Sequence, residues 1–209
     1  MTDLKERELI REAKQGDMLA FEELILKHEK IVYNLALRMM NHSEDAQDIA
    51  QEVFLKAYRS LANFDERSAF STWLYRITHN TCIDEMRKRK GKQSYSLEAE
   101  LESEEGSMQR QIADEGDTPE ESLLRNEQKS EILKALDTLS EEHKAAIILR
   151  DVKGLSYEEI AEILELSLGT VKSRISRARN QLKNEILKIR EQNDKMSVRR
   201  KERRGNHEL

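Results

Sequence analysis

The sequence is short of the residues that build turns and cross-links. It has one proline, seven glycines and a single cysteine, Cys82, among 209 residues. So little turn chemistry excludes an all-β sandwich or barrel. A lone cysteine excludes an internal disulfide and is typical of a reducing cytosol. No apolar run approaches the roughly 18 residues of a membrane span, and the N-terminal MTDLKERELI is not a leader, so we expect a cytoplasmic protein without membrane insertion.

Charge is abundant and unevenly distributed. Charged residues make up 37% of the chain, against about a quarter in ordinary globular proteins, which favours small helical domains with much surface. The formal net charge of -5 divides into -1 for residues 1–90, -8 for 91–127 and +4 for 128–209. The predicted fold is all-α, with two small helical domains joined by an extended acidic linker, and the basic second half suits a nucleic-acid partner.

Start signals and apolar spacing predict the individual helices. Asp17 and Ser43 are placed to cap the first two helices of the first half, and a third runs from Trp73 to the basic residues 87–90. The sequence TPEE at 118–121 is a capping box with proline at the first helical position.

Four segments follow from these signals. Residues 91–117 have no sustained period and too few apolar groups to offset chain entropy, so they are predicted to form an unfolded linker. The first domain is expected over 1–90, the second over 118–190, and a basic disordered tail over 191–209.

Residues 157–176 have the spacing of a helix-turn-helix. Ser156 and Glu159 form a capping box before its first helix, and Ser167 can cap the second. Glu165 falls in the turn, where a left-handed backbone would cost about 1 kcal/mol. On a helical wheel, the apolar side of the second helix comprises Val171, Ile175, Ala178 and Leu182.

The opposite and flanking positions of that second helix are polar and basic. A recognition helix needs this division, because one side packs while the other reaches base edges and phosphates. The alternative is two amphipathic helices with an ordinary solvated basic face. The candidate DNA contacts are Lys172, Ser173, Arg174, Ser176 and Arg177.

A second candidate site lies in FDERSAFSTWLYRITHN, residues 64–80. Four of the ten aromatic residues fall within the twelve positions 64–75, next to Arg76 and the basic residues 87–90. Aromatic rings beside cations suit single-stranded nucleic acid, although these rings can equally form the core of a small domain. Arg76 and Asn80 are the better candidates for polar contact.

The preceding helix, DAQDIAQEVFLKAY at 45–58, has a polar face that carries one exposed leucine. That face is either ordinary solvated surface or a docking site for a partner helix with cations. Its residues are Asp48, Gln51, Glu52 and Leu55.

These segments, with LSYEEIAEILELSLGTVKSRISRARNQL, resemble the sigma factors of bacterial RNA polymerase. The resemblance is to the small extracytoplasmic-function group, which keeps only conserved regions 2 and 4, and it looks nearest the sigma-W branch. It covers roughly 15–90 and 120–185. It implies no catalytic residue, cofactor or metal, and no small-molecule substrate.

The resemblance implies roles for three sets of residues. Those expected to dock on the clamp of the polymerase's largest subunit are Asp45, Asp48, Gln51, Glu52, Phe54 and Leu55. Those expected to capture or hold the opened -10 element are Phe64, Ser68, Phe70, Trp73, Arg76, Asn80, Arg87, Lys88 and Arg89. The five candidates on the recognition helix would meet the -35 element.

The expected function is to bind core polymerase, direct it to promoters and promote DNA melting. The implied partners are the core enzyme (clamp and beta flap), promoter DNA and an anti-sigma factor. The expected location is the cytoplasm in association with the nucleoid, and the anti-sigma factor can hold the protein at the membrane. The chief rival is a stand-alone, dimeric helix-turn-helix regulator. An enzyme comes third, because the sequence has no phosphate-binding glycine loop and its five histidines are scattered.

Overall fold

The structure is a computed structural model that describes residues 4–95 and 130–205. Within those residues every regular element is helical, which confirms the all-α prediction. The first group of elements is α1 (Leu4–Lys14), α2 (Met18–Met40), α3 (Ser43–Ser60), a 3-10 turn (Leu61–Asn63) and α4 (Phe70–Tyr95). The second group is α5 (130–137), α6 (Glu141–Ile147), a π-helical turn (Ile148–Val152), α7 (Tyr157–Leu164) and α8 (Leu168–Gly205).

Local capping sets where the early helices begin. The carboxylate of Asp17 accepts hydrogen bonds from the backbone N–H groups of Leu19 and Ala20, at 2.9 and 3.2 Å, so this predicted cap is confirmed. The predicted cap Ser43 is wrong by one residue: His42 occupies the cap position with extended backbone, and its side chain makes no capping hydrogen bond.

Contacts divide the described residues into two compact units, the first formed by 4–95 with 148–171. Its core contains the apolar stripes of α2 and α3, with Leu24, Val32 and Val53 buried, and α7 packs against α4. Helix α1, for which the sequence offered no start signal, closes one side of this core with Leu9 and Ile10.

The second unit comprises 130–147 with 172–205. Its core cluster joins α5 and α6 to the apolar side of α8, which confirms the predicted orientation of that helix. Lys144 is buried there, and its ammonium lies 2.6 Å from the Asp137 carboxylate. The members of the cluster are Leu136, Leu139, Ile147 and Ala178, with Leu182 packed against them.

Two helices are longer than the sequence predicted. Helix α4 continues to Tyr95, whereas residues 96–117 of the predicted linker and the predicted start at 118–121 lie outside the described residues. Helix α8 continues to Gly205, where the sequence predicts a disordered tail from 191. That stretch contains no proline and is rich in lysine, arginine and glutamate, which are good helix formers. No helix within 4–95 or 130–205 is both long and apolar enough to cross a membrane.

Candidate nucleic-acid interface

A cluster of buried aromatic rings supports the loop that precedes α4, residues 64–69, called here the 64–69 loop. The ring centroid of Phe64 lies 5.5 Å from that of Phe70 and 5.0 Å from that of Trp73. These side chains are only 4%, 2% and 7% exposed. Phe70 also contacts the His28 ring, at 5.2 Å, and is therefore a core residue rather than a surface on which a base can stack.

The 64–69 loop borders a pocket of about 190 Å³. This volume is below the roughly 300–1,000 Å³ of typical small-molecule sites. Its walls are mostly polar, with two aromatic side chains and one carboxylate from α7. The lining residues are Asn63, Phe64, Asp65, Arg67, Ser68, Trp73, Arg76 and Glu162.

The loop is held by contacts within it and by one residue of α1, Lys14. Arg67 donates to the Asp65 carboxylate from its guanidinium and its backbone N–H, and the side-chain hydrogen bond lowers the pKa of Asp65. Lys14 Nζ lies 2.5 Å from the carbonyl oxygen of Phe64 and 2.9 Å from Glu66 Oε1. The sequence contains no signal for this role of Lys14, because α1 precedes every recognised motif.

The polar candidates on α4 are accessible. Arg76 lies 3.8 Å from Glu165 in an exposed ion pair, which is weak enough for a phosphate to replace the carboxylate. Asn80 is exposed one turn further along, with Oδ1 3.1 Å from His79 Nδ1. Arg87 and Lys88 are also exposed.

The structure brings together Asp45 and Arg89, which the resemblance assigned to different surfaces. The Arg89 guanidinium donates to both oxygens of Asp45, at 2.6 and 2.5 Å, and its Nε donates to Glu85 at 3.1 Å. The hydrogen bond from Arg89 lowers the pKa of Asp45 and raises that of Arg89 itself. Both side chains are thus engaged in joining the start of α3 to α4.

Three of the remaining docking candidates are exposed on one side of α3. Asp48 and Gln51 are exposed, and Leu55 is 57% exposed. Glu52 is paired with Lys56 at 2.8 Å, and Phe54 is half-buried. An exposed leucine within an acidic and polar patch is what a partner with apolar and cationic groups would require.

The predicted helix-turn-helix geometry is present in α7, the turn and the start of α8. The Ser156 hydroxyl accepts from the Glu159 N–H at 3.1 Å, and the Glu159 carboxylate accepts from the Ser156 N–H at 2.8 Å, which completes the capping box. Glu165 ends α7 with φ 54°, the left-handed conformation expected. Ser167 Oγ accepts from the Thr170 N–H at 3.2 Å, so the predicted cap of α8 is also confirmed.

Four of the five candidates on α8 are exposed. Val171, Ile175 and Ala178 are buried on the opposite side, as the wheel predicted. Arg174 differs, because its guanidinium lies 2.8 Å from Glu142 and its side chain is only 20% exposed. The exposed candidates are Lys172, Ser173, Ser176 and Arg177. Across 4–95 and 130–205, no group of three or more histidines, cysteines and carboxylates is arranged to hold a metal ion.

Comparison with known proteins accounts for both halves of the chain. Residues 24–92 match the family model described as Sigma-70 region 2, and residues 129–182 match Sigma-70, region 4. Together, the helical folds and these matches define a sigma-70-type transcription factor.

Relatives narrow the class further. The chain is 38% identical to the ECF RNA polymerase sigma factor SigW of Bacillus subtilis (85% of this chain, 94% of the relative). It is 37% identical to the RNA polymerase sigma-H factor of Pseudomonas aeruginosa (86% and 92%). It is 30% identical, with a TM-score of 0.62, to the sigma factor RpoE of Bartonella quintana in a co-crystal with the anti-sigma factor NepR (81% and 97%).

The chain belongs to the extracytoplasmic-function (ECF) family of RNA polymerase sigma factors. The resemblance inferred from its motifs is confirmed, and its function is promoter-directed transcription initiation.

Proposed function

We propose that this chain is a dissociable, non-catalytic specificity subunit that acts in the cytoplasm and captures a base of the opened -10 element in the pocket beside the 64–69 loop. The observation that carries the proposal is this small, polar pocket, with Arg76 on its wall and Asn80 one helical turn beyond. Its size suits a single flat group, and its position beside α4 puts cations within reach of the backbone of the same strand.

Base capture explains how a protein without catalytic chemistry would melt DNA. An unpaired base can enter a pocket, whereas a stacked one cannot, so binding shifts the duplex towards the open state. Each captured base contributes about 1–3 kcal/mol, which is comparable to the mean of about 1.4 kcal/mol for one base-pair step. Two or three captured bases therefore suffice to start opening.

The second DNA contact is assigned to the exposed side of α8. Ser176 and Arg177 face away from the buried apolar side and would meet base edges of the -35 element, while Lys172 would reach phosphates. Arg174 is assigned a supporting role, since Glu142 already engages its guanidinium. Residues 1–90 would supply the -10 contacts and residues 118–190 the -35 contacts, with the acidic stretch 91–117 between them.

The exposed face of α3 is assigned to polymerase docking. Asp48, Gln51 and Leu55 supply two polar contacts and one apolar contact on consecutive turns. An anti-sigma partner is proposed as well, because the related RpoE structure is a complex with one. Such a partner would cover polymerase-binding surfaces, and its attachment to a membrane would keep this chain from the nucleoid.

Reconstitution with purified core polymerase on a promoter library tests the proposal. Asn80→Ala is the informative variant, because Phe64→Ala would disturb a buried ring as well as the pocket. We expect Asn80→Ala to slow open-complex formation about fivefold, in line with the loss of one hydrogen bond, without weakening polymerase binding. Asn34→Ala, at an exposed position on α2, is the matched control.

Two outcomes would contradict the proposal. If the wild-type chain neither binds core polymerase nor changes its promoter choice, the assignment as a specificity subunit fails. If Asn80→Ala opens promoters at the rate of Asn34→Ala, α4 does not take part in base capture at this position.

A further inference from the structure

We propose that Lys14 of α1 is a positioning residue for the 64–69 loop, so that α1, which precedes the matched region 24–92, belongs functionally to the -10 recognition site. This inference rests on the proposed role of the loop in base capture. Lys14 is not among the residues that line the pocket, and it would act through the conformation of the loop.

The contacts of Lys14 converge on the beginning of the loop. Its side chain is 24% exposed, and its ammonium donates to the Phe64 carbonyl at 2.5 Å and to the Glu66 carboxylate at 2.9 Å. The same ammonium lies 5.5 Å from the centroid of the Phe64 ring. One cation on α1 thus holds a backbone group, a side chain and a ring of a segment some 50 residues away.

The loop needs such a contact because its conformation is not the one its sequence prefers. Glu66 has φ 59°, a left-handed backbone that disfavours residues with a Cβ, and the loop sequence FDERSA contains no glycine. Inside the loop, the Asp65–Arg67 contact spans only two residues and cannot fix the loop relative to the helices. The buried Phe64 ring anchors the first residue of the loop, and Lys14 adds a fixed point at Glu66 itself, since α1 is packed through Leu9 and Ile10.

The position of Glu66 connects this contact to the pocket. Phe64 and Asp65 precede it, Arg67 and Ser68 follow it, and all four line the pocket. A change of backbone conformation at Glu66 would therefore move the two pocket residues before it relative to the two after it. The docking face on α3 has no such connection to Lys14, so polymerase binding should not depend on it.

The test compares Lys14→Met, which keeps most of the aliphatic stem but removes the ammonium, with Lys5→Met on the same helix. Lys5 lies on the same helix and makes an exposed ion pair with Glu23 of α2 at 2.6 Å, which makes it a matched control for the loss of a lysine charge. Loss of a charge-assisted contact predicts that Lys14→Met slows open-complex formation about tenfold, while Lys14→Arg recovers most of the rate. The affinity for core polymerase should be equal in all three variants.

A series of single-stranded -10 oligonucleotides, each with one abasic position, distinguishes a role of Lys14 in positioning the loop from a general structural defect of the variant. Wild type should bind the intact oligonucleotide about tenfold more tightly than Lys14→Met does. The two proteins should become equal when the captured base is the one removed. A merely structural defect would persist with every abasic oligonucleotide, and that result would overturn the inference.

The remaining outcomes are also decisive. If wild type opens promoters and Lys14→Met does so at the rate of Lys5→Met, the inference fails while the proposed function stands. If wild type itself does not open promoters, it is the proposed function that fails. If thermal unfolding shows that Lys14→Met is not folded, Glu66→Gln removes the charge of the same contact from the loop side, and unchanged opening by that variant overturns the inference.

Discussion

Replacing Glu165 by glycine should stabilise the helix-turn-helix rather than weaken it. Glu165 ends α7 with φ 54° and ψ 46°, and its backbone N–H already bonds to the carbonyls of Ala161 and Glu162. Those hydrogen bonds do not require a side chain, so glycine can keep them. The substitution therefore changes three quantities: backbone strain, the entropy of the unfolded chain and one ion pair.

Relief of the left-handed conformation is worth about 1–2 kcal/mol for a residue with a Cβ. Glycine also lowers the free energy of unfolding by about 0.5–1 kcal/mol, because it increases the entropy of the unfolded chain. The ion pair from Glu165 to Arg76 is long, at 3.8 Å, and its carboxylate side chain is 69% exposed, so it contributes little. The free energy of unfolding should therefore rise by about 0.5 kcal/mol.

Glu162→Gly is the matched control, because Glu162 is the same residue type inside the same helix, in right-handed conformation. It should lower the free energy of unfolding by about 1 kcal/mol, which makes the two variants differ in sign. Glu165→Gln isolates the ion pair. Urea unfolding followed by circular dichroism measures all three, and equal destabilisation by the two glycine variants would refute the argument from backbone strain.

Two further predictions concern DNA recognition and pH. Arg177→Ala should reduce discrimination between -35 sequences by about 1–3 kcal/mol, whereas Lys172→Ala should weaken binding to all sequences equally. Binding titrations on a library of -35 sequences measure both effects. A uniform loss of affinity for Arg177→Ala would instead identify Arg177 as a phosphate contact. Burial lowers the pKa of His28 below 6.5 and outweighs the Glu6 carboxylate 3.5 Å away. On acidification, the unfolded chain therefore binds a proton at His28 at a higher pH than the folded chain does. The free energy of unfolding should decrease as pH falls from 6.5 towards the folded-state pKa. His28→Gln should show a shallower decrease in urea titrations at several pH values, and an identical slope would contradict this account.

The features that the sequence predicted well depend on neighbours along the chain. The caps at Asp17, Ser156 and Ser167 each involve residues no more than three positions away, so the local sequence contains both partners. The buried side of α8 follows from helical geometry in the same way. The one misplaced cap, at Ser43, was an error of a single residue at a helix start that has no side-chain cap.

The aromatic residues illustrate where such prediction ends. A ring beside cations suits stacking on a base as well as packing in a core, and residue type does not distinguish the two. Phe70 is a core residue because Phe64 and Trp73 of its own segment and His28 of α2 surround it, and the contact with His28 is made only in the folded protein. The roles of the three surfaces on promoter and polymerase stay predictions until the variants are measured.

The sequence by itself determined the helical class, the helix-turn-helix and the family, because periodicity, caps and motifs are encoded within short segments. Tertiary structure decided which charges are engaged within the protein: Asp45 with Arg89, Arg174 with Glu142, and Lys14 with the 64–69 loop. These partners are 32 to 52 residues apart and meet only when their helices pack. Their side chains look no different in the sequence from the exposed cations and carboxylates beside them, since only packing brings a particular acid within reach of a particular base.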